Sequence, residues 1–177
     1  MLVTDAPASA LAWSRPLIRI LIVLNLVYAL GVMVMFLASL VPGTILWRAL
    51  GMLFPAEHRS SIVFGLRAIM IVGVVAAGVV DRVLRQMLAI VDTVRAGDPF
   101  TPSNAQRLEA IAWWVLVGEG LRLLIGAIAL ATTSGMPDLD LDLKFSVAPW
   151  LAVLLLFVLA RVFAEGARMR GDLEGTV

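Results

Sequence analysis

The chain holds 177 residues, 61% of them hydrophobic and only 15% charged, against roughly 45–50% apolar and roughly 25% charged in a soluble domain. One soluble core cannot hide that much apolar surface, whereas helices crossing a bilayer, each taking ~20 apolar residues, consume it. The 14 basic and 13 acidic residues nearly cancel, so no charge excess points to nucleic acid, and the absence of cysteine excludes disulfides, thiolate metal sites and thiol catalysis.

The first apolar run, 17–41, is broken only by Arg19, Asn25, Tyr28 and Ser39. It exceeds the ~7–15-residue core of a signal peptide and follows a segment without a basic residue before Trp13, so it is expected to stay as an anchor. The second run, 62–80, carries Arg67 near its start. Its helical pattern then continues through Val83, Leu84, Met87, Leu88, Val91 and Val94, at three- and four-residue steps. A helix from Ser61 to Ala96 would be ~54 Å long, nearly twice a ~30 Å hydrocarbon core. Gly97 suits a left-handed cap, Asp98 and Pro99 stop the helix, and Thr101 with Pro102 opens the next with a hydroxyl cap. Ser103 with Gln106 offers a capping box one step later.

The third run, 111–131, contains Glu119 and Arg122; the fourth, 146–160, begins near Phe145 and continues as a charged helix through Arg161, Glu165 and Arg168. Backbone groups in lipid must bond within their own segment, so all four runs are helices. Nine basic residues (Arg15, Arg19, Arg82, Arg85, Arg95, Arg107, Arg161, Arg168, Arg170) flank one side, and three (Arg48, Arg59, Lys144) the other. This asymmetry places both termini in the cytoplasm, and the tryptophans at the span ends agree. The expected fold is therefore all-α. It is a single polytopic membrane domain over 1–177 with four transmembrane helices, a cytoplasmic helical hairpin over 81–110 and a cytoplasmic tail over 161–177. The second and fourth helices extend into the cytoplasm.

On the outer side, 42–60 could form an interfacial helix or a tucked loop. The alternation from Asp138 to Lys144 reads as a short acidic strand, because Leu143 and Pro149 stand where a calcium loop needs glycine and glutamate. His58 is the sole histidine. Without cysteine or a second histidine it builds no transition-metal site, so no metal, no cofactor and no catalytic residue are expected.

Ionised groups at membrane depth are costly unless paired or hydrated. Arg67, Glu119 and Arg122, with Asn25, make the plausible intramembrane polar cluster, with an Arg67 to Glu119 ion pair locking two antiparallel helices as the favoured arrangement. Gly118 and Gly126, and Gly73 with Ala77, suit close helix packing.

Two stretches carry a family likeness. Gly97, Asp98, Pro99, Phe100, Asn104, Arg107 and Leu108 form a Gly-x-Pro-Phe turn followed by Asn and an Arg-Leu helix start. Val162, Phe163, Gly166, Asp172, Thr176 and Val177 form a Val-Phe-x-x-x-Gly helix with an acidic Thr-Val end. Together with the span pattern they resemble a bacterial family of four-helix inner-membrane proteins, domain of unknown function 2975. The resemblance implies the four-span fold in the inner membrane, frequent gene neighbourhood with a small helix-turn-helix regulator, and no established enzymatic activity. On the residues themselves, Phe100 and Phe163 are expected to plug the apolar helix ends, and the C-terminal tail reads by default as a disordered end, with capture in a partner groove as the functional alternative.

The expected function is a non-enzymatic membrane protein that binds a cytoplasmic partner, a helix-turn-helix regulator, through the hairpin tip and the tail, without touching nucleic acid itself. The alternatives are a small transporter or toxin-immunity protein built on Arg67, Glu119 and Arg122, or an accessory subunit of a larger membrane complex.

Overall fold

The computed structural model describes residues 6–41, 52, 59–133 and 146–174, with their side chains except at 6–12, 133 and 172–174. The interfacial segment, the acidic alternation, His58 and the Gly-Thr-Val end fall outside the described residues. Four long helices run in order: α1 Ala6–Leu40, α2 Arg59–Arg95, α3 Pro102–Thr133 and α4 Ala148–Glu174. Each contains a stretch long and apolar enough to cross a membrane.

Two boundaries differ from the expectation. α1 begins at Ala6, well ahead of the apolar run, because Ala6, Ala8, Ala10 and Ala12 are strong helix formers and Pro7 sits in the first turn, where its missing N–H costs nothing. Pro16 then lies inside α1. α4 begins at Ala148 rather than near Phe145: the Val147 carbonyl accepts the Leu151 N–H at 3.1 Å, and Pro149 fits the first turn. α2 runs 37 residues without a break, about 55 Å at the helical rise.

Contacts group the chain into two compact units. The first comprises Met1–Asn25, Val79–Val117 and Ser146–Val177, and the second Leu26–Gly78 and Gly118–Phe145. In the first, Ile18, Val79, Leu108, Ile111, Ala112 and Val153 are buried. In the second, Val63, Met70 and Ala77 are buried. The remaining apolar surface faces outward: the most apolar window of α1 has no buried residue, and Leu24, Val27, Leu30, Leu154, Leu155 and Val158 are all more than half exposed. Helices with apolar outer faces are stable with lipid as the solvent for those faces.

In the second unit close packing rests on glycines. Gly73 is buried, and a Cβ there would sit 3.7 Å from the Tyr28 hydroxyl and 3.9 Å from Val32 Cγ1 on α1. Gly65 is tighter still, since a Cβ there would fall within 3.0 Å of three Thr132 side-chain atoms on α3. Gly65→Leu is therefore expected to cost ~1–3 kcal/mol by overpacking. Gly78→Leu, a position exposed with nothing within 4 Å, serves as the control. Thermal unfolding in detergent followed by circular dichroism compares the two, and equal midpoints would remove the close α2–α3 approach.

Candidate functional site

The first unit contains the most elaborately held segment, the turn between α2 and α3. Gly97 is at φ +85°, and the helix end around it is a Schellman motif: the Asp98 N–H donates to the Thr93 carbonyl and the Gly97 N–H to the Val94 carbonyl, both at 3.1 Å. A side chain at Gly97 would be strained in this conformation. Pro99 follows where the helix cannot continue. Thr101 Oγ1 accepts the Asn104 N–H at 3.2 Å, as the hydroxyl-cap expectation has it, while Ser103 Oγ lies 3.0 Å from Thr101 Oγ1.

Asn104 lies at the centre of this turn with no exposed surface. Its side-chain amide donates to Thr93 Oγ1 at 2.7 Å and to the Pro99 carbonyl at 2.9 Å, and its carbonyl oxygen accepts from the Arg107 guanidinium at 2.9 Å. The Thr93 hydroxyl in turn donates to the Ile90 carbonyl at 2.7 Å. One buried amide thus ties the end of α2, the turn and the first turns of α3 together, satisfying groups that would otherwise be buried without partners. Thr93 stood out in no sequence motif.

The turn also clasps α4. The Phe100 ring lies 5.1 Å from that of Phe163, tilted by 45°. A Cβ on Gly166 would approach Phe100 Cδ1 to 3.0 Å, so the glycine makes room for the ring. The Asp98 carboxylate accepts from Arg170 at the outer edge. Phe163, Gly166 and Arg170, spaced three and four apart, form one face of α4. Phe100 and Phe163, each expected to plug helix ends, instead meet each other ring to ring, Phe163 from well inside α4. Of the tail, Asp172 is helical within α4, and Thr176 and Val177 lie outside the described residues. Arg15 on α1 adds a link that sequence spacing hides: its Nε lies 3.0 Å from Asp92 Oδ1, across 77 positions.

In the C-terminal part of α2 the basic residues Arg82, Arg85 and Arg95 are exposed. Asp81 accepts from Arg85 Nε at 2.7 Å; this hydrogen bond first, and the charge attraction with it, raises the Arg85 pKa above its ordinary value.

In the second unit the expected Arg67 to Glu119 pair is not formed. Glu119, buried, takes both oxygens to Arg122 one turn along the same helix, at 2.6 and 2.9 Å. The bidentate fork is complete within α3, so the carboxylate has no call on a second helix. Arg67 instead reaches the end of α1, where its Nε donates to Ser39 Oγ at 3.3 Å and its terminal nitrogen to the Ser39 carbonyl. Ser39 Oγ donates to the Phe36 carbonyl at 2.6 Å. Carbonyls in the last turn of a helix lack intrahelical donors, and a cation is favoured there by the helix dipole, so Arg67 caps α1. Arg67 and Ser39 thus make a capped helix end, and Glu119 and Arg122 a separate intrahelical pair. Asn25, half-buried, belongs to the first unit.

Among the described residues no group of three His, Cys, Asp or Glu side chains could hold a metal ion. A family model spans residues 45–177, three-quarters of the chain and both halves of the clasp. The chain belongs to the DUF2975 family, described as a protein of unknown function. No curated protein and no solved structure matches it. In this DUF2975 chain the clasp gives the motif residues physical work: Gly97, Asp98, Pro99, Phe100, Asn104 and Arg107 build the turn, and Phe163 and Gly166 receive it.

Proposed function

We propose that this DUF2975 protein is a non-enzymatic multi-pass protein of the bacterial inner membrane, with both termini and the α2–α3 turn in the cytoplasm, where it holds a small helix-turn-helix regulator. The observation that carries the proposal is the clasp. A buried asparagine, a ring pair and an ion pair fix a turn that leaves Phe100 44% exposed, beside an α2 extension studded with exposed arginines. A pre-organised surface of this kind loses little freedom on docking a partner. The basic asymmetry of nine residues to three supports its cytoplasmic placement. The separate structural partners of Arg67 and Glu119 support a scaffold over a transport path, which would call for a roomier polar set or broken helices.

Co-expression with the small helix-turn-helix regulator that the family resemblance implies beside the gene, followed by membrane fractionation, tests this role. The regulator is expected to pellet with membranes containing the wild-type chain. It should be released by deletion of residues 171–177 or by charge reversal at Arg82, Arg85 and Arg95. A regulator that stays soluble beside the wild-type chain, or retention that survives both changes, rejects the proposal.

A further inference from the structure

A second feature of the first unit lies away from the clasp. Between the first turns of α3 and the latter half of α4 opens a groove of about 530 Å³, within the ~300–1,000 Å³ range of small-molecule sites. Gln106 and Glu109 line it from α3, and Phe157, Arg161, Ala164 and Arg168 from α4. The α4 residues recur at steps of four, three and four. They therefore occupy one face, distinct from the Phe163, Gly166 and Arg170 face that meets the turn.

The groove is graded along its length. Phe157 packs its ring edge-on against Trp113 at 5.5 Å, and indoles of this kind favour the bilayer interface. Arg161 is the first charge after the apolar run of α4, about 6 Å further along the helix, and Arg168 lies about 10 Å beyond that. Arg161 has no ion-pair partner among the described residues. Among the described residues the ion-pair partner of Arg168 is Glu165, at a long 3.7 Å, and its side chain is 78% exposed. Both guanidiniums are thus available to an anion at the level where headgroup phosphates lie, while the groove's apolar end can take the start of an acyl chain. Of the lining residues, Arg161 and Arg168 against Glu109 leave one positive charge in excess, with Glu165 beside Arg168 at the margin, and Glu109 supplies an acceptor suited to a headgroup hydroxyl.

We infer that this groove is a binding site for an anionic phospholipid with a hydroxylated headgroup, its phosphate on Arg161 and Arg168 and its chain along Phe157. Charge complementarity, the gradation from apolar to basic, and the position at a span end all favour this occupant. Basic pockets between helices at a membrane face bind such headgroups. The inference is independent of which side of the membrane this end faces and of any protein partner.

Native mass spectrometry of the full chain in detergent, titrated with phosphatidylglycerol, phosphatidylcholine or inorganic phosphate, provides the test. Phosphatidylglycerol is expected to bind roughly tenfold more tightly than phosphatidylcholine, and millimolar inorganic phosphate should not displace it. Arg161→Gln with Arg168→Gln should abolish the preference, and the corresponding pair of lysine substitutions should restore most of it. Ala164→Phe should weaken binding with both arginines in place by filling the groove. Equal affinity for the two lipids, a preference that survives both the glutamine pair and Ala164→Phe, or displacement by inorganic phosphate would each overturn the inference.

Discussion

Asn104→Leu destabilises the protein by about 3 kcal/mol, since three side-chain hydrogen bonds are lost and the Pro99 carbonyl and Thr93 hydroxyl lose their buried partner. The residue has no exposed surface, so water cannot replace those bonds without opening the turn. Leucine has the same number and branching of side-chain heavy atoms, so no cavity opens and the polar loss is separated from a cavity effect. Asn104→Asp keeps an acceptor for Arg107 but removes the amide donors, and is expected to lose most of the same stability. Denaturant unfolding in mixed micelles measures the difference, and amide hydrogen exchange locates it: faster exchange should appear first over 93–108. A leucine variant as stable as the wild type, with unchanged exchange there, would show that the buried amide does not hold the turn. The proposed regulator surface would then lose the rigidity on which it depends.

The second large effect is expected in the spans. Glu119→Ala leaves the Arg122 guanidinium at membrane depth without its bidentate partner, and an unpaired charge there is costly. The thermal midpoint in lipid bicelles should fall by several degrees. Arg122→Ala alone should also destabilise, because it strands a buried carboxylate. The double substitution should recover most of the loss, since neither charge then remains. Arg67→Leu combined with Glu119→Ala should instead be additive, because the two residues serve separate partners. Coupling between Arg67 and Glu119 of the size found between Glu119 and Arg122 would reinstate a lock between helices.

These contrasts mark how far local chemistry is legible in a sequence. The long α2, the glycine cap at Gly97 and the hydroxyl cap at Thr101 are written in neighbouring residues, and each stands where adjacent spacing placed it. Phe100 and Phe163 were legible as apolar side chains near the turn, but their meeting ring to ring was not, because it requires α4 to pack against the turn. Thr93 was not, because its bond to Asn104 exists only after two helices have closed into a hairpin. Arg15 was visible as a charge that orients the chain, but its partner lies 77 positions away. The misplaced partner of Arg67 has a different cause: matching charges by depth counts side chains alone, while the end of α1 presents a backbone carbonyl that attracts the same guanidinium.

That cap also bears on how the protein is made. α1 leaves the ribosome ahead of α2, and the carbonyl of Ser39 takes its donor from Arg67, a residue synthesised later and belonging to the next helix. This bond at the end of α1 is therefore missing during insertion of the first helix and forms only when α2 arrives beside it. The two helices reach their mature state as a pair, and truncating nascent chains between 41 and 67 defines the point in synthesis at which the first span becomes fully settled.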